Sequence, residues 1–317
     1  LGCPRSGDLV ESEIAAHDSA VESPRLLDLR QHRGHARIGA PEQRSGRLTG
    51  VAQRAEHVED RADPDLLAHR SDEPHRGMMR PGEHEAEAEL GGYAAKGFTA
   101  AKMRVVGRDG FSIENCVRRV EAARRGVGPN VELMVDAHAS LETPVAIRLA
   151  KALEPYNIAW FEEPVSPDNH AGMAEVRAST RIPIASGERE FSRYGFRSMI
   201  EHKAIDIAQP DVARAGGLTE IRRIAALTQA HDIRLAPHAW GSGLLFAASI
   251  HVALSAANCH ILEVSQGYMP MMNELFNEPY DIRDGYVHAP DRPGLGFTLR
   301  KDALERFKYV DGPEFAF

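Results

Sequence analysis

Three acidic residues lie at equal intervals in the middle of this chain, and each one ends a short apolar segment. Asp136 follows VELMV, Glu162 follows NIAWF and Glu188 follows RIPIASG, with 26 residues from each acid to the next. That interval holds one strand, one helix and their loops, so the three carboxylates should project from the same end of three successive parallel strands. Converging carboxylate oxygens are the ligands of a hard divalent cation, and we therefore predict a Mg²⁺ site.

Helical and strand patterns alternate strictly from about Glu83 onwards. The predicted strands begin near Phe98, Val131, Ile158, Ile182, Ala204, Ile233 and His260. Such alternation indicates a parallel sheet with right-handed crossovers. Seven strands of this kind predict an α/β fold that is a β/α barrel short of one strand. A doubly wound dinucleotide fold is excluded because no G-x-G-x-x-G follows a strand.

Polar residues follow every predicted strand, at the end where β/α barrels form their active sites. They are Lys102 and Arg104, Asp136 and His138, Glu162, Glu188, Asp211, His238 and Glu263. One acidic residue after a strand is usually a helix cap or a solvated loop charge, but seven consecutive strand ends favour one shared site. Because alternate residues of a strand share a face, Lys102 and Arg104 should both point into the barrel mouth. Glu163 should point away from it, as a supporting or helix-capping acid.

The amino-terminal part of the chain has a different composition. All 2 Trp, 7 Tyr and 11 Phe lie at Tyr93 or later, no Lys precedes Lys96 and no Asn precedes Asn115. A segment so poor in large apolar residues can bury little surface. It is either a disordered extension or the product of a GC-rich gene read in the wrong frame, and we favour the second explanation. We expect an atypical segment at 1–80, a catalytic barrel at 81–300 and a tail at 301–317.

Bulk properties narrow the class of protein. The net charge of −8 argues against a nucleic-acid partner. No apolar run is long enough to span a membrane, and the amino terminus lacks the apolar segment of a signal peptide. Cys3, Cys116 and Cys259 have no metal-binding spacing, so we expect reduced thiols and a cytoplasmic protein.

The strand-end motifs, taken together, resemble those of the enolase superfamily in its mandelate racemase branch. They are Lys102-x-Arg104, VDAH, FEEP, SGE, QPD followed by GG, PHAWGSG and LEVS. The tail GYVHAPDRPGLGF resembles the segment that closes that family's barrel, and the resemblance covers roughly residues 83–310. It implies a modified (β/α)7β barrel of the TIM type, with Mg²⁺ on Asp136, Glu162 and Glu188.

The resemblance also implies a reaction. In that family a proton alpha to a carboxylate is abstracted, and the metal holds the resulting enediolate. Asp211 and His238 are similar to the family's His–Asp dyad, in which the aspartate orients the imidazole and raises its basicity. Glu263 is similar to the residue that hydrogen-bonds the substrate carboxylate.

Two features depart from the family pattern. Arg104 stands where the family usually has a second Lys; arginine is a poor base but suits holding a carboxylate by two hydrogen bonds. Lys102 would then steady charge and His238 would be the single base. His138 would protonate a departing hydroxide, as in some sugar-acid dehydratases, or else be a polar supporting residue. The second departure is that neither the family's amino-terminal capping domain nor its first barrel strand is recognisable in residues 1–80.

These features predict a Mg²⁺-dependent dehydratase that converts an aldonate-like sugar acid to a 2-keto-3-deoxy acid. A racemase or epimerase of a 2-hydroxy acid on the same scaffold is the first alternative. A catalytically inactive, truncated barrel is the second. The expected partners are a small-molecule sugar acid and further copies of this chain in a homo-oligomer, with no nucleic acid and no membrane.

Overall fold

The computed structural model of this protein describes residues 48–53, 83–107 and 110–309. The expectations about disorder, reading frame and the missing cap concern residues 1–80, and they lie outside the described residues except at 48–53. The domain boundaries near residues 80 and 300 remain predictions.

Parallel strands alternate with helices in the order that the resemblance implies. The strands are β1 Leu48–Gln53, β2 Ala100–Arg104, β3 Glu132–Asp136, β4 Ile158–Glu162, β5 Ile184–Ser186, β6 Ile207–Ala208, β7 Arg234–Leu235 and β8 Ile261–Ser265. The intervening helices are α1 Glu83–Ala95, α2 Ile113–Val127, α3 Thr143–Leu153, α4 His170–Ser179, α5 Ser192–Glu201, α6 Gly217–Ala230 and α7 Gly243–Ser255. A 3-10 helix, Glu154–Tyr156, follows α3 directly. The predicted α/β fold, a (β/α)7β TIM-type barrel, is therefore confirmed.

The first barrel strand, which the sequence analysis did not recognise, is β1. It pairs in parallel with β2, from Val51↔Ala100 to Gln53↔Lys102, and with β8, from Thr49↔Ile261 to Gln53↔Ser265. On the other side of β8, Cys259, just before that strand, forms a parallel bridge with Leu235 of β7. The count of seven strands is thus corrected to eight. The segment LTGVAQ is short and has no periodic apolar neighbours, so its pattern alone did not predict a strand.

The barrel strands are apolar on both faces because helices cover the outside and other strands face them inside. The interior layer consists of Ala100, Met134, Trp160, Ala185, Ile207, Ala236 and Ile261. A larger apolar cluster, including Leu133, Phe161 and Phe196, fills the space between strands and helices. Cys116 and Cys259 are buried free thiols, as expected, and Cys3 lies outside the described residues.

The carboxyl-terminal part adds two short strands and two short helices. They are α8 Pro270–Asn273, β9 Asp281–Arg283, β10 Tyr286–His288 and α9 Ala303–Arg306. β9 and β10 form a hairpin, and β10 pairs antiparallel with β1 through Val287↔Leu48 and Tyr286↔Thr49. Within the described ranges, no helix has both the length and the apolar character that crossing a bilayer requires.

Candidate active site

A polar layer lies directly above the apolar interior layer of the barrel. Each interior residue is followed two positions later along its strand by a member of this second layer, because alternate side chains share a face. The second layer consists of Lys102, Asp136, Glu162, Gly187, Gln209, His238 and Glu263. Strand geometry therefore collects charged side chains at the carboxyl end of the barrel, here called the mouth.

Lys102 is at the centre of this layer and is 1% exposed. Its Nζ is paired with Glu162 Oε1 and lies 2.8 Å from Glu263 Oε1. Burial alone would lower the pKa of Lys102, but the carboxylates of Glu162, Glu263 and Asp136 outweigh burial and hold the pKa above its usual value. Lys102 is therefore a permanent cation in this arrangement.

Asp211 and His238 form a buried hydrogen-bonded pair, as expected for the dyad. His238 Nδ1 lies 2.7 Å from Asp211 Oδ2, and Asp211 Oδ1 accepts hydrogen bonds from the backbone N–H groups of Ala213 and Arg214. A proton on Nδ1 leaves Nε2 directed into the mouth, 3.5 Å from Glu188 Oε2. Burial lowers the pKa of His238, but the nearby carboxylates, chiefly Glu188, raise it to about 9.

Glu263 completes this side of the mouth. Its Oε2 accepts a hydrogen bond from the Ala239 N–H at 2.9 Å, and its other oxygen faces Lys102. Burial raises its pKa, but the charges of Lys102 and His238 outweigh burial and hold it below the usual value. Glu263 is therefore anionic, with Lys102 between it and Glu162.

Two residues that the sequence analysis missed hold Glu162. Trp160 Nε1 and Gln209 Nε2 both donate to Glu162 Oε2, at 2.9 and 2.6 Å. Gln209 lies two positions before Asp211 and Trp160 two before Glu162, so the two-residue rule applied backwards along each strand would have identified them. Burial raises the pKa of Glu162 to about 7, together with the charges of neighbouring carboxylates.

Asp136 and Arg104 face each other on adjacent strands. Arg104 Nη1 lies 3.2 Å from Asp136 Oδ2, while Asp136 Oδ1 accepts a hydrogen bond from the His138 N–H at 2.6 Å. Burial, more than any nearby charge, raises the pKa of Asp136. Arg104 thus contacts a protein carboxylate, and its predicted role in holding a substrate carboxylate remains a prediction.

Glu188 reaches the mouth only because the backbone departs from regular strand geometry. Ala185 points into the barrel, so strict alternation would direct Glu188 outwards. Gly187 has φ +131°, a conformation that side-chain-bearing residues rarely adopt. A Cβ there would lie 2.6 Å from the Phe196 ring. The glycine of the SGE motif therefore turns the metal-ligand candidate inwards.

Glu163 is also turned into the mouth, so the expectation that it points away is wrong. Its backbone has a left-handed φ of +36°, its side chain is fully buried, and Arg189 Nη1 lies 3.3 Å from Glu163 Oε2. Burial raises the pKa of Glu163 to about 9, and the charge of Glu188 adds to this shift. Arg189 follows the SGE motif directly but was not among the predicted site residues. Its Nη2 also lies 2.7 Å from His138 Nε2.

The predicted metal ligands share the mouth but do not form the tightest cluster of candidate donors. Within the part of the chain that the structure describes, the donor atoms of His138, Glu163 and Glu188 all lie within 4.8 Å of one another. Asp136 and Glu162 are outside that cluster and are paired with Arg104 and Lys102 instead.

Two cavities lie at the opposite end of the barrel, away from these residues. One of about 270 Å³ is lined by residues that include Glu132, Trp160, Arg234 and His260. The other, of about 410 Å³, shares Arg234 and His260. The amino-terminal ends of barrel strands usually serve stability, and the candidate active site is therefore the charged mouth.

Known proteins are similar in sequence to the part of the chain that forms the barrel. The family model described as enolase C-terminal domain-like matches residues 85–303. D-galactarolactone cycloisomerase of Agrobacterium fabrum is 35% identical over 232 residues, which are 71% of this chain and 60% of that protein. D-xylonate dehydratase of Haloferax volcanii is 38% identical over 193 residues, 61% of this chain and 47% of that protein. The chain therefore spans only about half to three-fifths of these relatives.

A solved structure has a similar fold. The crystal structure of the 3,6-anhydro-D-galactonate cycloisomerase from Zobellia galactanivorans superposes with a TM-score of 0.68 at 31% sequence identity. The match covers 83% of this chain and 66% of that one.

Proposed function

The chain belongs to the enolase C-terminal domain-like family, and from that premise we propose that it is a Mg²⁺-dependent dehydratase of a sugar acid. The observation that carries the proposal is the buried Asp211–His238 pair, whose second imidazole nitrogen faces the mouth 3.9 Å from Glu263 Oε2, the carboxylate that is also paired with Lys102. A base at that position can remove the proton alpha to a carboxylate, and relatives are named as dehydratases of sugar acids.

The residues of the mouth fit a divalent cation. Its buried carboxylates belong to Asp136, Glu162, Glu163, Glu188, Asp211 and Glu263. Among the described residues, the side chains there that carry a permanent positive charge are Lys102, Arg104 and Arg189. Buried carboxylates in such excess are costly unless protonated or paired. Burial is the main cause of the raised pKa values of Asp136, Glu162 and Glu163, and the charges of neighbouring carboxylates add to it.

We assign Asp136, Glu162 and Glu188 as the residues that would hold Mg²⁺. When bound there, Mg²⁺ would supply positive charge beside the substrate carboxylate, where negative charge develops as the alpha proton leaves. Gln209 and Trp160 donate to one oxygen of Glu162, and Lys102 is paired with the other. Gln209 and Trp160 therefore fix the orientation of this proposed ligand.

His238 is the proposed base. Asp211 accepts a hydrogen bond from the Nδ1–H group and so keeps the lone pair on Nε2, which takes the proton from the substrate. Lys102 is too strongly stabilised in its charged form to serve as a second base. A single base favours elimination of water over racemisation, because a racemase needs proton transfer on both faces of the carbon.

His138 is the proposed acid for the departing hydroxyl group. It follows the ligand Asp136 by two residues, is exposed at the mouth, and its backbone N–H fixes Asp136. In the balanced reaction the alpha C–H and beta C–O bonds break, one water leaves, and the enol product rearranges to a 2-keto-3-deoxy acid. In each turnover His238 gains one proton and His138 loses one, and proton exchange with solvent restores both residues.

A cycloisomerase is the second candidate, favoured by the names of the relative and the solved structure reported above. Both candidates place the base at His238. They differ in the product, because dehydration releases water whereas a cycloisomerase retains every atom of its substrate. A racemase or epimerase would also conserve the substrate's mass, and an inactive barrel would form no product.

The proposal is tested by incubating the protein and Mg²⁺ with D-xylonate, D-galactonate and a sugar-acid lactone, with product mass as the readout. Loss of 18 mass units supports a dehydratase, and an isomer of the lactone supports a cycloisomerase. Incorporation of solvent deuterium into recovered acid without mass loss would indicate an epimerase. No turnover on any acid despite Mg²⁺ binding would support the inactive barrel.

The assignment of His238 has its own test. His238→Ala should lower kcat by about 10³-fold or more, since a positioned general base contributes on that scale. Its Mg²⁺ affinity should be retained or increased, because His238 is not a proposed ligand and its imidazolium charge opposes the bound cation. His251→Ala is the matched control. His251 lies on the outer helix α7, and its Nε2 is hydrogen-bonded to the backbone carbonyl of Leu295. Near-normal turnover in His238→Ala would contradict the one-base mechanism.

A further inference from the structure

A guanidinium group lies among three side chains whose chemistry suits a metal ion. His138, Glu163 and Glu188 offer one ring nitrogen and two carboxylate oxygens, all within 4.8 Å of one another. Arg189 contacts each of the three. Its Nη1 is 3.3 Å from Glu163 Oε2, its Nε is 3.6 Å from Glu188 Oε1, and its Nη2 is 2.7 Å from His138 Nε2.

The position of Glu163 shows that the arrangement is held by the fold. Glu163 is 0% exposed, and neither of its carboxylate oxygens accepts a hydrogen bond from the described residues. Its left-handed backbone, with φ +36°, turns it towards Arg189. A carboxyl group buried in this way can ionise only beside a positive partner, and Arg189 supplies that charge 3.3 Å away.

We infer that Arg189 is a built-in cation that fills a second metal position and limits the mouth to one divalent ion. The inference rests on the proposed function, in which that one ion is held by Asp136, Glu162 and Glu188. An imidazole with two carboxylates suits Mn²⁺, Co²⁺ or Zn²⁺. Without Arg189, these three residues would bind such an ion.

By excluding a second ion, Arg189 protects two residues of the proposed reaction. Glu188 belongs to both donor sets, so a second ion would compete for the carboxylate that the first ion uses. His138 would coordinate the second ion through a ring nitrogen, and that bond blocks proton transfer more lastingly than the exchangeable hydrogen bond that Arg189 donates to the ring. A guanidinium neutralises the same carboxylates but forms no coordinate bond, because it has no empty orbital and only donates hydrogen bonds.

The test counts bound Mn²⁺ by electron paramagnetic resonance of the free ion and by titration calorimetry. We expect one Mn²⁺ per chain for the wild type and two for Arg189→Met. Arg189→Lys keeps the charge and should bind one. Arg193→Met is the matched control: Arg193 pairs with Glu220 at 2.7 Å, outside this cluster, and its loss should leave one ion.

Further variants separate this inference from the proposed metal site. Glu163→Gln added to Arg189→Met should return the count to one, and Asp136→Asn alone should remove the ion of the wild type. One more ion in Arg189→Met than in the wild type supports the inference, even if the wild type binds none and the proposed site fails. An equal count in the two proteins overturns it, as do two ions in the wild type. Circular dichroism melting checks each fold, with Arg189→Gln replacing Arg189→Met if the latter does not fold.

Discussion

His238 gains its basicity from the carboxylates around it. It is buried, and burial by itself would favour the neutral imidazole, yet the charges of Glu188, Glu263 and Asp211 raise the pKa to about 9. Most of the imidazole would therefore be protonated near neutral pH, which is unfavourable for a base. The Glu188 carboxylate contributes most to raising this pKa, and Glu188 is also a proposed metal ligand. The metal and the base are therefore electrostatically linked.

We predict that Mg²⁺ binding lowers the pKa of His238. A divalent ion on Glu188 offsets the charge that stabilises the imidazolium, so the neutral form gains population at a given pH. The measurement is a proton NMR titration of the His238 ring with EDTA and with saturating Mg²⁺, with the signal assigned from His238→Asn. The midpoint should be near pH 9 with EDTA and lower with Mg²⁺. A midpoint that stays constant or rises would show that the ion binds away from Glu188.

At the scale of elements, the barrel builds its site by alternation along strands and completes it by breaking that alternation. Lys102, Asp136 and Glu162 follow the strand period, each two residues beyond an apolar interior residue. Glu188 breaks the period, because Gly187 adopts φ +131° at the end of β5. The close approach of the Phe196 ring on α5 leaves no room for a side chain at that glycine.

We predict that Gly187→Ala destabilises the protein by about 2–4 kcal/mol, from the positive φ and from the clash with a buried ring. Mg²⁺ affinity should fall as well, because Glu188 would be displaced. Urea unfolding and Mg²⁺ titration are the measurements. Gly92→Ala is the control. Gly92 lies inside α1, and a Cβ there would have no neighbour within 4 Å, so this change should increase stability by about 1 kcal/mol or less. Equal stability of the two variants would contradict the argument.

At the scale of the molecule, closure of the barrel depends on β1. This strand stands between β2 and β8 and also pairs with β10. Without it, β2 and β8 would present unpaired edges, and exposed edges promote aggregation. The unit that contains the barrel begins at Arg44, upstream of β1.

We predict that a chain of residues 44–317 melts cooperatively, whereas a chain of residues 81–317 aggregates or melts without cooperativity. The second chain follows the barrel boundary predicted from sequence and lacks β1. Size-exclusion chromatography with calorimetry distinguishes the two outcomes. A cooperative, monodisperse 81–317 chain with an unchanged melting temperature would show that β1 is dispensable.

The sequence by itself determined the barrel from residue 83 onwards and seven of its charged strand ends. The apolar strand segments repeat at intervals of one β/α unit, and in a parallel barrel this periodicity brings their ends together whatever the side-chain details. For that reason the sequence could place four side chains at the mouth, since each lies in phase with its strand: Lys102, Asp136, Glu162 and His238.

Only the tertiary structure decided which charges meet. The 26-residue spacing does not reveal that Lys102 is paired with Glu162, or that Arg104 faces Asp136. The direction of the Glu163 side chain could not be predicted either, because a left-handed backbone reverses it. The strand β1 could not be predicted because it is defined by its partners on both sides. Local pattern determines which in-phase residues reach the mouth, whereas pairing depends on distances between strands that are far apart in the chain.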